Sequence, residues 1–296
     1  MPSSLCIGTA QFGLNYGVTN KKGIVSIEEV QKIIDKAYNS GIIYLDTAQA
    51  YGQSEEILGK TIRGTQKFKI ISKISLPESI QNKSNLKKIL DTKFSKSLKN
   101  LRKKDIHALL IHQAKDLRSN YGNDFLMWLK NLKTNGLVKR IGISIYDFKD
   151  ISHFDLSNFD IVQLPISIFD QRFLKEDYLE NILNSGCKIH IRSIFLQGLI
   201  LAKNSVLPKF LSKGFKYHHK KFCDTATFNK MSQLDLACSF IKNLKNIEST
   251  LIGVENLEQF SEIINIWNKN DLNFINKKLF NFNWDKIQDI DPRYWN

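Results

Sequence analysis

The chain is poor in cysteine and has no long apolar run. Its cysteines, Cys6, Cys187, Cys223 and Cys238, show neither close pairing nor a Cys-x-x-Cys spacing, so we predict free thiols in a reducing compartment. No apolar stretch approaches the roughly 18 residues that a membrane helix needs. No basic segment followed by an apolar one precedes the first predicted strand. These absences predict a cytoplasmic protein without a membrane partner.

Proline is scarce too, at 5 residues in 296, and no segment rich in proline, glycine and serine divides the chain. Hydrophobic residues make up 42% of the sequence, which is enough to bury a substantial core and argues against disorder. A chain of this length can form one large domain. We therefore expect a single domain over residues 1–296.

Several common site motifs are missing. The sequence contains no G-x-G-x-x-G, no P-loop and no G-x-S-x-G nucleophile motif. His218, His219 and Cys223 lie close together, but no fourth ligand stands at a recognisable spacing. We therefore expect no metal site.

Positive charge dominates the sequence. The formal net charge of +14 raises nucleic acid as a possible partner. The lysines, however, are spread over nearly every predicted helix and loop, without an arginine-rich run. We interpret them as solvated faces and expect no nucleic-acid partner. No sequence feature indicates an oligomeric state.

Strand and helix patterns alternate eight times along the chain. The predicted strands span residues 5–7, 42–45, 68–72, 106–111, 141–144, 161–164, 188–192 and 250–252. The predicted helices begin with a capping box at 26–29 and a second start after Ser54, and continue at 84–101, 124–135, 148–154, 175–184, 229–242 and 257–267. This alternation predicts an α/β fold, a (β/α)8 TIM barrel in a single domain, rather than two open doubly wound domains.

Two segments interrupt the alternation. Residues 196–228 are too long for an ordinary connection between a strand and its helix, and loops of that length commonly act as lids or binding loops. Residues 270–296 are too apolar to be free in solution. We expect this tail to pack across the barrel as a helix and a C-terminal cap.

Polar side chains follow the predicted strands at the point where each strand ends. Asp46 follows the second strand and Tyr51 lies in the loop after it, while Lys73 and His112 follow the third and fourth strands. Parallel barrels gather their chemistry at these C-terminal strand ends. Taken singly, each residue has an ordinary structural explanation, such as a helix cap, a rim aromatic, a strand end or a core histidine. Together they predict an active site.

The run from Asp46 to Gly59, D-T-A-x-x-Y-G-x-S-E-x-x-L-G, is similar to the signature of the aldo-keto reductases. In that family an Asp, a Tyr, a Lys and a His occur in this order in the active site. The resemblance therefore implies catalytic roles for Asp46, Tyr51, Lys73 and His112, and an NAD(P)H-dependent oxidoreductase that reduces a small-molecule carbonyl compound.

Carbonyl reduction needs a proton on oxygen as well as a hydride on carbon. A tyrosine with a pKa near 10 is a poor proton donor unless a nearby cation stabilises the phenolate, and Lys73 is placed to be that cation. Asp46 can partner the buried lysine. His112 can donate a hydrogen bond to the substrate carbonyl and hold it near Tyr51.

The resemblance also implies the cofactor contacts. The matching positions are Ser144, Gln163, Arg192, Ser193, Phe195, Gln197, Gly198, Gly253, Val254, Glu255 and Gln259. Two positions depart from the family pattern. Ile145 stands where many members have asparagine, and Arg192 where an aromatic usually stacks on the nicotinamide. Arg192 could stack in its place, present a cation to an anionic substrate such as a sugar acid, or simply cap the strand.

Cofactor choice is open at the sequence level. Family habit favours NADP, but Gly253, Val254 and Gln259 stand where NADP-preferring members often have lysine, serine and arginine. Glu255 is better suited to ribose hydroxyls than to a 2′-phosphate, so NAD remains the second candidate. The departures also leave open a cofactor-binding regulatory or sensor protein with little turnover. The substrate is not indicated, because specificity lies in the loops.

Overall fold

The computed structural model describes residues 3–77, 83–269 and 279–295. Its strands are β1 (Ser4–Gly8), β2 (Tyr44–Asp46), β3 (Lys69–Ile74), β4 (Ile106–Ile111), β5 (Val138–Ser144), β6 (Ile161–Pro165), β7 (Lys188–Arg192) and β8 (Ile247–Gly253). All neighbouring strands pair in parallel in sequence order, and β8 closes onto β1. The predicted (β/α)8 barrel is therefore confirmed.

Helices surround the barrel. They are α1 (Ala10–Gly13), α2 (Ile27–Asn39), α3 (Ser54–Thr61), α4 (Lys83–Leu101), α5 (Gly122–Thr134), α6 (Tyr178–Asn184), α7 (Lys213–Phe228), α8 (Gln233–Lys242), α9 (Leu257–Trp267) and α10 (Ile287–Ile290). Among the described residues, none of the helices combines the length and apolarity that crossing a bilayer would require.

The barrel interior explains why the predicted site residues converge. A small apolar cluster inside the barrel contains Cys6, Tyr44, Ile71, Leu110, Ile161 and Leu251, from six different strands. Side chains alternate between the two faces of a strand, so residues two positions further along share the inward face. Those residues are Gly8, Asp46, Lys73, His112, Gln163 and Gly253. The larger core cluster instead packs the strands against the helices.

The prediction of a helix at residues 148–154 is wrong. The structure has a single 3-10 turn at Phe148–Asp150, capped by Asp147, and a second turn at Leu156–Asn158, capped by Asp155. Aspartate side chains that bond to nearby backbone amides compete with helix formation, and here two of them break the segment into turns. The connection between β5 and β6 therefore carries no α-helix.

The long segment predicted as a loop at 196–228 contains a helix. Residues Lys213–Phe228 form α7, and Ser212 caps it by accepting a hydrogen bond from the Phe215 amide. Its buried residues, Phe215, His219, Phe222 and Ala226, follow the helical spacing of one face. The next helix, predicted to start at 229, begins only at Gln233, after a capping box formed by Ser232 and Asp235.

Only one of the two hydrogen bonds of the capping box predicted at the start of α2 forms. Ser26 accepts a hydrogen bond from the Glu29 amide, as expected. The Glu29 carboxylate, however, accepts a 2.7 Å hydrogen bond from the Leu257 amide at the start of α9. Tertiary packing of α2 beside α9 thus offers Glu29 a partner 228 residues away.

The described part of the C-terminal tail, residues 279–295, packs beside α7 and the loop after β6. The Trp284 amide donates to the Phe169 carbonyl at 2.8 Å, and Asp289 accepts from Ser212 at the start of α7. Arg293 reaches the ring of Tyr146 at the mouth of the barrel. Residues 270–278 of the predicted cap lie outside the described residues.

Candidate active site

A cavity of about 550 Å³ opens at the C-terminal ends of the strands. Thirteen of the fifteen predicted site residues line it: Asp46, Tyr51, His112, Ser144, Gln163, Arg192, Ser193, Phe195, Gln197, Gly198, Gly253, Glu255 and Gln259. The other two are buried behind the wall. Lys73 lies beside Asp46, and the Val254 side chain packs into the apolar core.

Lys73 and Asp46 form a buried ion pair beneath the cavity. The Lys73 ammonium binds the Asp46 carboxylate directly and donates to the Thr47 carbonyl at 3.0 Å. Burial is the largest single effect and lowers the pKa of Lys73, but the charge and hydrogen bond of Asp46, together with Tyr51 and Cys6, outweigh it and leave that pKa above its ordinary value. Lys73 is therefore charged at neutral pH.

Tyr51 lies above this ion pair, with its ring centroid 5.1 Å from the Lys73 nitrogen. Burial raises the pKa of Tyr51, while the positive charge of Lys73 opposes the shift. The net direction is upward because desolvation is the larger effect, so the charge of Lys73 alone does not set the pKa of Tyr51. The phenol is thus protonated at neutral pH, and no described residue makes a hydrogen bond to its hydroxyl.

His112 faces Tyr51 edge to face, with ring centroids 5.7 Å apart. Burial and the charges of Lys73 and Arg192 lower the pKa of His112 to about 3. The imidazole is therefore neutral at physiological pH, with one N–H donor and one acceptor nitrogen. Both ring nitrogens lack a hydrogen-bond partner among the described residues, so the donor is available to a ligand in the cavity.

Gln163 joins the opposite side of the barrel to this group. Its Nε2 donates to Asp46 Oδ2 at 2.8 Å. The remaining atom, Oε1, is buried and has no hydrogen-bond partner among the described residues. A buried polar atom without a partner is costly, and one in the wall of a cavity fits a ligand that brings a donor. The carboxamide of a nicotinamide is such a donor.

Arg192 is held at the end of β7 by its neighbours. Its guanidinium donates to the Ile145 carbonyl at 2.9 Å and to Ser193 Oγ at 3.3 Å. It also packs on the Tyr146 ring, 4.0 Å from the centroid. Arg293 packs on the same ring at 4.1 Å. Tyr146 therefore links the barrel wall to the C-terminal tail, which the sequence did not indicate.

The loop after β7 meets the loop after β1 over the cavity. Gln197 Oε1 accepts from the Val18 amide at 3.1 Å, and Thr19 Oγ1 donates to the Gln197 carbonyl at 3.1 Å. Ser193, Leu196 and Gln197 all have positive φ, at 61°, 46° and 53°. Such strain in non-glycine residues marks a loop whose shape is imposed by its contacts.

The loop after β8 is acidic and already hydrogen-bonded. Glu255 and Glu262 both line the cavity. At the start of α9, the Leu257 amide donates to Glu29 and the Gln259 amide donates to Asn256. Two of the amides that could bind an anion at this helix start are therefore occupied by side chains of the protein.

The second half of the Asp46–Gly59 motif is structural. Ser54 is buried and its hydroxyl donates to the Thr9 carbonyl at 2.9 Å, which ties the loop after β2 to the loop after β1. Glu55 accepts a 2.6 Å hydrogen bond from Ser72 in β3. The motif thus combines two cavity residues with side chains that fix the loop carrying them.

Sequence reasoning missed several cavity residues. They are Gln11, Tyr16, Lys21, Tyr146 and Glu262, among others in the loops. Burial raises the pKa of Tyr16 above its ordinary range, with smaller effects from Tyr51 and Tyr146. Tyr146 follows the end of β5 by two residues, and that placement was the signal that could have identified it. Tyr16 lies beyond α1 in the loop after β1, where no such signal marks it.

The histidines near Cys223 have ordinary partners. His218 pairs with the Phe282 carbonyl and His219 with the Leu199 carbonyl. Within the described ranges, no three residues among His, Cys, Asp and Glu are grouped to hold a metal ion.

The fold and cavity define a (β/α)8 barrel protein with a polar site at the C-terminal strand ends. The family model described as Aldo/keto reductase family matches residues 4–277, and the chain belongs to that family. Membership implies an oxidoreductase that uses a nicotinamide cofactor and acts on small-molecule carbonyl compounds.

Individual relatives agree with this assignment. The chain is 26% identical over 230 residues to the aldo-keto reductase YhdN of Bacillus subtilis (strain 168), a match that covers 74% of this chain and 66% of YhdN. The holo form of aldo-keto reductase AKR11C1 from Bacillus halodurans superposes with a TM-score of 0.75 at 18% identity, covering 95% of this chain and 91% of that chain. Its apo form gives 0.70 at 18% identity, with 95% and 89% covered.

Proposed function

We propose that the protein reduces an aldehyde or ketone, such as a sugar or an anionic carbonyl compound, to the alcohol, with Tyr51 as the proton donor. One observation carries this proposal. Tyr51 lines the cavity, its hydroxyl has no hydrogen-bond partner among the described residues, and its ring lies near both the charged Lys73 and the neutral His112. This is the arrangement that proton transfer to a carbonyl oxygen requires.

The roles of Tyr51 and Lys73 follow from their charges. Tyr51 carries its proton at neutral pH because burial raises its pKa. When that proton moves to the developing alkoxide, the phenolate left behind is stabilised by the adjacent ammonium of Lys73. Asp46 keeps Lys73 charged inside the protein. Asp46 and Lys73 thus act through Tyr51 rather than on the substrate.

His112 orients the carbonyl. Its low pKa, about 3, keeps it neutral, so it donates one hydrogen bond without adding charge to the site. Because His112 and Tyr51 are edge to face, a carbonyl oxygen between them can accept from both. Two fixed donors on one oxygen also favour the charge that develops there in the transition state.

A bound NAD(P)H supplies the hydride. Gln163 Oε1, the unpartnered buried acceptor, and Ser144 at the end of β5 would hold the nicotinamide carboxamide. The loop from Ser193 to Gly198 would run along the pyrophosphate, and Gly253, Glu255 and Gln259 would line the adenosine end. Val254 would contribute only its backbone, because its side chain is buried in the core.

Among the two cofactors, the contacts after β8 favour NADH over the NADPH that family habit indicates. Glu255 and Glu262 place two carboxylates in this wall, against the one lysine, Lys21, found among the described lining residues. The Leu257 amide is already bound to the Glu29 carboxylate. A 2′-phosphate would meet net negative charge, whereas ribose hydroxyls can donate to a carboxylate.

The first experiment titrates the purified protein with NADH and NADPH, followed by fluorescence, and then tests oxidation of the bound cofactor by aldehydes, sugars and sugar acids. Changing Tyr51 to Phe should lower kcat by at least about 100-fold while leaving the cofactor Kd within about threefold. Tyr217→Phe, on the exposed side of α7, is the matched control and should keep full activity.

The outcomes separate the alternatives. Near-wild-type turnover by Tyr51→Phe would exclude Tyr51 as the proton donor. Tight cofactor binding without turnover of any carbonyl would instead support a regulatory or sensor protein that keeps the fold. If neither NADH nor NADPH binds, both the reductase and the sensor proposals would be contradicted.

A further inference from the structure

Two cations that line the cavity, Lys21 and Arg192, form no ion pair within the described residues. Lys21 is exposed, whereas Arg192 is partly buried. The charged lining residues are Lys21, Asp46, Arg192, Glu255 and Glu262. Asp46 is neutralised by Lys73, and the two glutamates belong to the loop and helix after β8. Across the described parts of the chain, no carboxylate lies within 4.0 Å of Arg192.

Arg192 is nevertheless held rigidly. Two of its five N–H donors bind the Ile145 carbonyl and Ser193 Oγ, and Tyr146 covers one side of the guanidinium. Its other donors, including the Nε hydrogen, have no hydrogen-bond partner in residues 3–77, 83–269 or 279–295. A partly buried guanidinium with fixed orientation and free donors is preorganised to bind an anion.

The position of Arg192 identifies which end of the cavity the anion would occupy. Arg192 lies at the end of β7 and lines the same cavity as Tyr51 and His112. Its positive charge is also among the causes that lower the pKa of His112. Tyr51 and His112 are the groups that would hold the reacting carbonyl. An anion bound to Arg192 would therefore lie beside that carbonyl.

We propose that Arg192 binds an anionic group, a carboxylate or a phosphate, on the substrate itself, so that the preferred substrates are short carboxylated or phosphorylated aldehydes and ketones. This inference rests on the proposed reductase function and specifies its substrate class. The other source of the same chemistry is the pyrophosphate of the cofactor. The nearness of Arg192 to Tyr51 and His112 favours the substrate.

Tyr146 and Arg293 act as positioning residues for Arg192. Two nitrogens of the Arg293 guanidinium donate hydrogen bonds to the Asp291 carboxylate, at 3.0 and 2.7 Å. The same carboxylate accepts a hydrogen bond from Arg172 at 3.1 Å. This ionic group fixes Arg293 on the ring of Tyr146, and Tyr146 in turn supports Arg192. The C-terminal tail is thereby coupled to substrate recognition without touching the substrate.

The test compares matched substrates that differ in charge. Succinic semialdehyde is paired with its methyl ester, and glyceraldehyde 3-phosphate with glyceraldehyde. The wild type should prefer the charged member of at least one pair by about 50-fold in kcat/KM, as expected for hydrogen bonds to a charged group. Arg192→Met should remove that preference, chiefly through KM, and Arg192→Lys should restore part of it. Arg63→Met, which removes an exposed guanidinium on the outer surface, should retain it.

If Arg293 only positions Arg192, the Arg293→Met variant should change KM less than the Arg192→Met variant does. Arg293→Met should raise KM for the charged aldehyde severalfold and leave kcat and KM for the neutral ester unchanged. An equal effect of Arg293→Met on both aldehydes would mean that Arg293 acts only through stability.

Binding measurements separate this inference from the proposed function. Isothermal titration of the NADH complex with succinate and with inorganic phosphate needs no turnover. Binding to the wild type that is lost in Arg192→Met supports the anion site, even if no carbonyl is reduced. Equal loss of activity on charged and neutral substrates would overturn the proposal. So would a rise of more than tenfold in the NADH Kd of Arg192→Met, because Arg192 would then bind the cofactor.

Discussion

Gln163 donates from Nε2 to Oδ2 of Asp46 across the barrel interior, at 2.8 Å and over a sequence separation of 117 residues. This bond joins β6 to β2 and fixes the orientation of the Gln163 amide, because a carboxylate can only accept. The carbonyl oxygen of the amide must then point away from Asp46. One hydrogen bond thus links the buried ion pair to the proposed carboxamide site.

Replacing Gln163 with Met keeps the length of the side chain and removes both of its polar ends. We expect the NADH Kd to rise about tenfold, because one hydrogen bond to the carboxamide is lost. The free energy of unfolding should fall by about 1–2 kcal/mol, because Asp46 loses a buried donor. Fluorescence titration and urea unfolding measure the two effects. Gln49→Met, a control outside the cavity wall, should change stability without changing the Kd.

The Asp46–Lys73 pair should show strong coupling. Asp46→Asn and Lys73→Met each leave one buried charge without its partner, at a cost of about 3–5 kcal/mol. The double variant should be more stable than the sum of the single changes predicts, by at least about 2 kcal/mol. Chemical denaturation of all four proteins measures this coupling. Simple additivity would mean that the two side chains do not interact in solution.

Gly59 allows α3 to approach α4. A Cβ at this position would overlap the carbonyl oxygen of Asn100, which belongs to the backbone and cannot move aside easily. We expect Gly59→Ala to destabilise the protein by about 1–3 kcal/mol. Gly64→Ala is the matched control, because no atom of the described residues lies within 4 Å of a Cβ there. Its midpoint of urea unfolding should stay within experimental error of the wild type.

The N-terminal end of the barrel should make stability depend on acid pH. Burial, with the charges of Arg140 and Lys69, lowers the pKa of His107 to about 4. The unfolded chain, with a histidine pKa near 6.5, therefore binds more protons than the folded one between pH 6.5 and 4. The stability that the folded protein gains from keeping His107 neutral is complete above pH 6.5 and is lost as the pH falls through 4.

His107→Gln should reduce this loss of stability between pH 6.5 and 4 by about 1 kcal/mol, a figure discounted for solvent screening. Thermal unfolding at several pH values tests it, with His153→Gln on the surface as the control. Below pH 4.5 a second decline should appear in both variants. In the folded protein, hydrogen bonds from His190 and Arg140 hold the pKa of Glu248 at about 2 against the effect of burial. The unfolded glutamate begins to bind a proton below pH 4.5, so the stability that Glu248 contributes is lost as the pH falls from 4.5 to 2. An unchanged pH profile in His107→Gln would contradict the first assignment.

Much of the fold could be predicted because its signals are local. Buried strands appear as short apolar runs, and the predicted bounds of β4, β7 and α9 match the structure. Errors occurred where side chains made local or distant bonds that pattern reasoning does not include. Asp147 and Asp155 replaced a helix with turns, and the apolar stripe of α7 was overlooked within a segment predicted as a loop.

The placement of the candidate site residues was predictable from the sequence, as most of the fold was, but their detailed geometry was not. Side chains alternate between the two faces of a strand, and Asp46, Lys73 and Gln163 all fall on the face that points into the barrel. Their positions in the sequence therefore indicated that they converge. Ion-pair geometry, hydrogen-bond orientation and pKa directions were not predictable, because they depend on which side chains fill the space between strands. The upward shift in the pKa of Tyr51 is one example, since burial outweighed the nearby lysine.

By itself, the sequence determined the barrel, the family resemblance and the identity of the four polar residues that lie at the strand ends or in the loop just after one. It could do so because period-two burial and strand-end placement are properties of short segments. Only the tertiary structure decided that Arg293 supports Tyr146 and Arg192, that Glu29 occupies an amide of α9, and that Arg192 has no described counterion. Contacts between segments distant in the chain depend on closure of the barrel and on packing of its loops, which no local pattern encodes.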